Sequence, residues 1–199
     1  MISLQASLDS HADGQGGFGL ADLMVGLALI GLLAAAVFGV YQVSQNSYLY
    51  GASRAEVQEN ARVVLSRMAT EIREAGYDPT FSGNFPILTN IASGDMSFTA
   101  DLDGDGVLDA NETVRYYRNA ADNTLHRSAG GVDQPLIDGA QALTLTYLDS
   151  GNNVTATIAN VRTVSIQVTV QPVAAQSLAS LSTPVSFTTQ VRLRNAPIP

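Results

Sequence analysis

Residues 17–41 read GFGLADLMVGLALIGLLAAAVFGVY, the longest apolar run in the chain. Residues 23–41 carry no charge. As a helix rising ~1.5 Å per residue they span roughly 28 Å, close to the ~30 Å hydrocarbon core of a bilayer. A single acid, Asp22, stands at the mouth of the run, and Gly26, Gly31 and Gly39 interrupt it where soluble helices more often carry Ala or Leu. The pattern predicts a membrane helix with two features that a plain anchor does not need. The glycines have two readings, close approach of neighbouring helices or local loosening of the helix, and their spacing does not separate them.

Upstream of the run, residues 1–17 are polar, glycine-rich near their end and without periodicity, which marks them as a leader. An ordinary secretory signal places its small-residue cleavage site after the apolar run, whereas here Gly16 and Gly17 precede it, so cleavage leaves the anchor on the mature chain. A short hydrophilic leader, Gly17, Phe18 and a hydrophobic helix with an acid five residues past the cut resemble the class III signal of type IV pilins and pseudopilins. That resemblance implies a prepilin peptidase cutting after Gly17, Phe18 as the methylated N-terminus, and Asp22 as the acid that guides docking onto a neighbouring subunit's N-terminal amine. The family carries Glu where this chain has Asp22, and its leaders carry Lys or Arg where this one has only Asp9, Asp13 and His11. Aspartate is one methylene shorter but keeps the carboxylate. Without the resemblance, Asp22 is favourable simply because it meets the positive end of the helix dipole.

Downstream, no proline occurs before Pro79, so the helix is free to continue to about Gly76. Ala61, Val64, Leu65, Met68, Ile72 and Ala75 recur at steps of three and four, while Arg62, Arg67, Glu71, Arg73 and Glu74 take the other positions. One face is therefore core. Residues 58–77, QENARVVLSRMATEIREAGY, resemble the same region of PilW-type minor pilins, with Gly76 and Pro79 as the helix stop. The resemblance as a whole implies an α+β, pilin-like fold. Its parts are a leader (1–17), a transmembrane or filament-core half-helix (18–53), an amphipathic half (54–77) and a β-rich head (78–199).

Composition agrees with an apolar anchor on a folded head: 46% of residues are hydrophobic and 14% charged. The formal net charge is −8, with ten bases, all of them Arg, so nucleic acid is not an expected partner. There is no cysteine, which removes disulfides and thiolate metal sites. After Pro79 short β-favouring runs alternate with Gly, Asn, Asp and Pro, predicting strands at 96–100, 113–118, 124–128, 142–148, 161–171 and 185–194. Val164, Ile166, Val168 and Val170 share one face of such a strand and should pack on the helix.

Between the first two of these strands lies DLDGDGVLDANE, residues 101–112. It fits the twelve-residue calcium loop, with Asp101, Asp103 and Asp105 supplying carboxylates, Val107 its carbonyl, Asp109 a direct or water-mediated ligand and Glu112 two oxygens, while Gly106 permits the turn. The flanks read as strands and not as the helices of an EF-hand, so the pattern predicts a structural Ca²⁺ clip, the alternative being a solvated acidic turn. Catalysis is poorly supplied: the only histidines are His11 and His126, the latter on a strand, and the clustered acids belong to the loop.

The combined expectation is a non-enzymatic minor pilin-like subunit. It is held in the bacterial inner membrane with its head in the periplasm, then packed with other pilin or pseudopilin subunits through the N-terminal helix. A minor pseudopilin of type II secretion, of the GspJ branch, is the alternative, and a membrane-tethered hydrolase or binding module the remote one.

Overall fold

The computed structural model describes residues 17, 19–172 and 183–196. One long helix, α1 (Leu20–Arg73), is followed by β1 (Asn90–Ala92), β2 (Asp95–Thr99), β3 (Thr113–Asn119), β4 (Thr124–Ala129), β5 (Val132–Ile137), β6 (Ala140–Leu148), β7 (Thr163–Val170) and β8 (Val185–Arg192). The fold is α+β, an apolar N-terminal helix followed by antiparallel sheets. It divides into two compact units, Met1–Asn46 and Ser47–Pro199.

In the first unit the helix buries almost nothing. Its most apolar window is wholly exposed, and by length and composition it suffices to cross a membrane. A Cβ added at Gly26, Gly31 or Gly39 meets no atom within 4 Å, so nothing among the described residues requires these positions to be small.

In the second unit the helical periodicity becomes a core. Ala61, Val64, Leu65, Met68, Ile72 and Ala75 are all buried, in one cluster with Met96, Phe98, Val114, Tyr116 and Leu125 from one sheet and Leu143, Leu145, Val164, Ile166 and Val168 from another. The helix stops on schedule. Gly76 takes φ +72°, and its Cβ would fall 2.3 Å from Ile87 Cγ1, so only glycine fits there. The carbonyls freed at the helix end are met from far along the chain: Arg194 N–H donates to Arg73 O, and Asn195 Nδ2 to Glu74 O and Ala75 O.

All six expected strands are present, each within two residues of its expected bounds. They form two meanders and not one sheet, β1-β2-β3-β4-β5 and β6-β7-β8, antiparallel throughout. The chain passes between them at Asp138 and Gly139, the glycine at φ +74°. The expectations omitted β1 and β5. Strand β1 is three residues long, and β5 contains Pro135 and is largely exposed, which suits the sheet edge it occupies.

One polar contact fixes the helix on the larger sheet. Glu71 accepts hydrogen bonds from Arg127 Nε of β4 (2.8 Å), from the Tyr116 hydroxyl of β3 (2.7 Å) and from Arg67 one turn earlier (2.9 Å). Burial disfavours the charged Glu71 carboxylate, but the bonds from Arg127, Tyr116 and Arg67 outweigh it and hold its pKa below the ordinary 4.5. Glu71 thus binds a proton less readily folded than unfolded. Its contribution to stability is complete above pH 4.5 and is lost as the pH falls through the lower folded value.

Glu71→Ala leaves Arg127 and the Tyr116 hydroxyl partly buried without their acceptor and should cost about 2 kcal/mol, or roughly 4–8 °C in Tm. In acid titrations of thermal stability, the advantage of the native chain over Glu71→Gln should hold at neutral pH and shrink below pH 4.5; an advantage independent of pH would count against the ion pair.

Candidate functional site

The acidic stretch folds into a loop between neighbouring antiparallel strands, running from the end of β2 to the start of β3, where Thr99 pairs with Thr113. Asp and Gly alternate because the chain must turn on itself while each carboxylate caps a nearby N–H. Asp101 is buried and accepts from Gly104 N (2.6 Å) and Gly106 N (3.1 Å). Asp103 accepts from Asp105 N (3.1 Å), and Asp105 from Val107 N (2.7 Å).

Carboxylate oxygens of Asp101, Asp103 and Asp105 lie within 4.8 Å of one another. Since Ca–O distances are about 2.3–2.6 Å, two oxygens on one calcium ion stand no more than about 5 Å apart, so this triad fits the ion. Glu112 and Asp109 fall outside it. Glu112 is fully buried, and its two oxygens accept Leu102 N (2.8 Å) and Asp109 N (2.9 Å), drawing the two ends of the loop together. The Asp109 N–H holds the Glu112 carboxyl below its ordinary pKa against the cost of desolvation, with help from Leu102 N–H. The side chain expected to embrace an ion from two sides is thus already a latch on the backbone. Val107 stands in the turn with its side chain exposed.

A second loop braces the first, and sequence reasoning missed it. Asp78 accepts from Thr80 Oγ1, Ser82 N, Ser82 Oγ and Gly83 N, while Asn84 Nδ2 donates to Gly106 O (2.9 Å). The signal was present in DPTFSGN, residues 78–84, where an Asp precedes small hydroxyl and glycine residues.

At the other candidate site, Gly17 is exposed and Phe18 lies outside the described residues. Asp22 sits in the first turn of α1, and its Oδ2 accepts the Gly19 N–H (3.2 Å) while Asp22 N donates to Gly19 O (3.0 Å), a reciprocal cap of the helix start. Its other oxygen has no hydrogen bond among the described residues. His126 lies on β4 with Nδ1 facing Asp133 Oδ2 (2.9 Å) and Nε2 facing Asp122 Oδ2 (3.2 Å), and its ring stacks on Tyr117. It belongs to a strand-surface network and not to the acidic loop. No family model matches the chain, and comparison with curated proteins finds no match.

Gly106 carries the shape of the loop: it takes φ +75°, and a Cβ there would fall 2.5 Å from Thr80 Oγ1. Gly106→Ala should destabilise the β-rich unit by about 1–3 kcal/mol in denaturant unfolding. Gly83→Ala, where a Cβ meets nothing within 4 Å, should cost less despite a similar φ of +76°.

Proposed function

We propose that the chain is a minor type IV pilin-like structural subunit, cut by a prepilin peptidase after Gly17, methylated on Phe18 and held in the inner membrane until its helix joins a filament of like subunits. The observation that carries this reading is the exposed first part of α1, which begins just after Gly17 and Phe18, bears a single acid in its first turn and carries no further charge over residues 23–41. A permanent anchor gains little from a carboxylate at the edge of lipid, where it is costly unless it finds a partner. A subunit that moves from lipid into a bundle of helices can use it. One Asp22 oxygen caps its own helix, and the other, with no hydrogen bond among the described residues, is open to a neighbour's N-terminal amine. Gly26, Gly31 and Gly39, which no described residue crowds, suit close approach of neighbouring helices.

In the same reading the loop 101–112 is a structural Ca²⁺ clip between β2 and β3. Asp101, Asp103 and Asp105 would hold the ion, with the Val107 carbonyl, Asp109 and Glu112 as further oxygens, and the ion would relieve repulsion among acids crowded at one turn. Glu112 already ties the loop closed through the backbone. The ion would therefore stiffen a loop that is formed without it, not drive a large rearrangement.

Two measurements test these roles. Mass spectrometry of the mature chain should give an N-terminus at Phe18 bearing one added methyl; any other start overturns the filament assignment. At matched ionic strength, calcium at a hundred times its Kd should stabilise the β-rich unit by about 2.7 kcal/mol, and chelation should reverse this. A chain carrying Asp103→Asn and Asp105→Asn should not respond, and an unchanged Tm in the native chain would sink the clip while leaving the filament reading intact.

A further inference from the structure

The chain is acidic overall, yet four of its ten arginines line one cavity of about 570 Å³. It lies at the end of the three-stranded sheet where β6 finishes, β7 begins and β8 finishes. Arg162 immediately precedes β7, Arg192 is the last residue of β8 and pairs with Thr163, and Arg194 follows two residues on. Arg73 joins them from the last turn of α1, where Arg194 N–H donates to Arg73 O.

Arginines gathered around one cavity repel one another unless carboxylates lie between them. Three of the other six arginines have such partners: Arg67 and Arg127 pair with Glu71, and Arg115 with Asp95. Here, among the described residues, none of the four arginines pairs with an acid. The one carboxylate lining the cavity, Asp149, spends its Oδ1 on Gly151 N, Asn153 N and Asn153 Nδ2 inside its own turn.

Arg162 is the most constrained of the four. Its guanidinium is fixed by bonds to Ala159 O (2.8 Å) and Val161 O (2.9 Å), and its Nε is buried with no hydrogen-bond partner. A buried unpartnered donor on a cationic group costs free energy, and it marks Arg162 as the least satisfied arginine of the four. Ser150, Asn152 and Thr163 line the same cavity and add neutral donors.

We propose that this cavity binds a phosphate group, free or carried on a small ester, with Arg73, Arg162, Arg192 and Arg194 as its cationic wall. Four arginines and one aspartate among the lining residues give a net charge of +3, which a phosphate dianion meets better than a single carboxylate does. Planar guanidinium forks match its oxygens in pairs. The volume exceeds that of orthophosphate alone and leaves room for a small substituent. Nothing in this site depends on whether the helix enters a filament.

The test is calorimetric titration of the full chain in neutral detergent with orthophosphate and, separately, with glycerophosphoglycerol, a lipid headgroup lacking acyl chains. Saturable orthophosphate binding that weakens as salt rises is the expected result. Arg192→Gln and Arg194→Gln, both at exposed positions, should each weaken it about tenfold, the loss of one charge-assisted contact. Arg54→Gln, which removes the same charge far from the cavity, should leave it unchanged. Binding of the headgroup alone, lost in the same two variants, supports the site and assigns lipid as the source of the phosphate. No saturable binding of either probe, or equal binding by all three variants, overturns the proposal.

Discussion

The β-rich unit is organised by a carboxylate on a helix. Glu71 receives two strands at once, through Arg127 of β4 and the Tyr116 hydroxyl of β3, and it does so one residue before Ile72 enters the core. Turning the helix by one residue, about 100°, would pull Met68 and Ile72 out of the core and strip Glu71 of both strand partners. The apolar stripe and the polar joint therefore specify the same rotation. Agreement between two unrelated forces gives a single arrangement where a greasy stripe alone would tolerate several. The joint also accounts for Tyr116, a fully buried tyrosine whose hydroxyl needs an acceptor and whose pKa is driven far above 10 by burial and by Glu71.

The parts of this fold legible in the sequence are those governed by a strong local period. The 3.6-residue stripe from Ala61 to Ala75 and the alternation of Val164, Ile166, Val168 and Val170 each name their own burial, and the structure buries those residues accordingly, while the charge-free run forms the expected helix and stays exposed. Polar partnerships over long separations were not legible. Glu71 read as one more solvent-facing acid on the helix, because its partners lie 45 and 56 residues away. Strand β5 was hidden by Pro135, and the break into two sheets by the lack of any composition change across Asp138 and Gly139. Within the acidic loop, spacing gave the turn chemistry of Gly106 and the convergence of three aspartates. It could not tell that Glu112 would be spent on Leu102 and Asp109.

The two charged features of the β-rich unit solve the problem of crowded like charges in opposite ways. The acids of the loop are short and close to backbone N–H groups, so each becomes a local cap and the loop can close on its own donors. The arginines are long, and the backbone offers them only carbonyls; Arg162 uses two and still leaves Nε unmatched. A negative cluster can thus be stable in itself where a positive one stays electrostatically open. This difference lets a chain of net charge −8 keep a concentrated patch of positive potential.

The cap that Arg194 and Asn195 place on the end of α1 has a consequence for how the molecule is made. Glu74 and Ala75 leave the ribosome some 120 residues before the asparagine that satisfies their carbonyls. For most of synthesis that helix end therefore stays open to water, however early the helix itself forms. The core cannot be sealed strand by strand as the chain emerges, because β8 and the residues after it are the stitch that joins late sequence to early. Closing so long a loop is entropically slow, and the half-made β-rich unit meanwhile exposes the apolar faces of its first sheet. Partly made chains of this topology expose apolar surface for longer than a chain whose contacts are local.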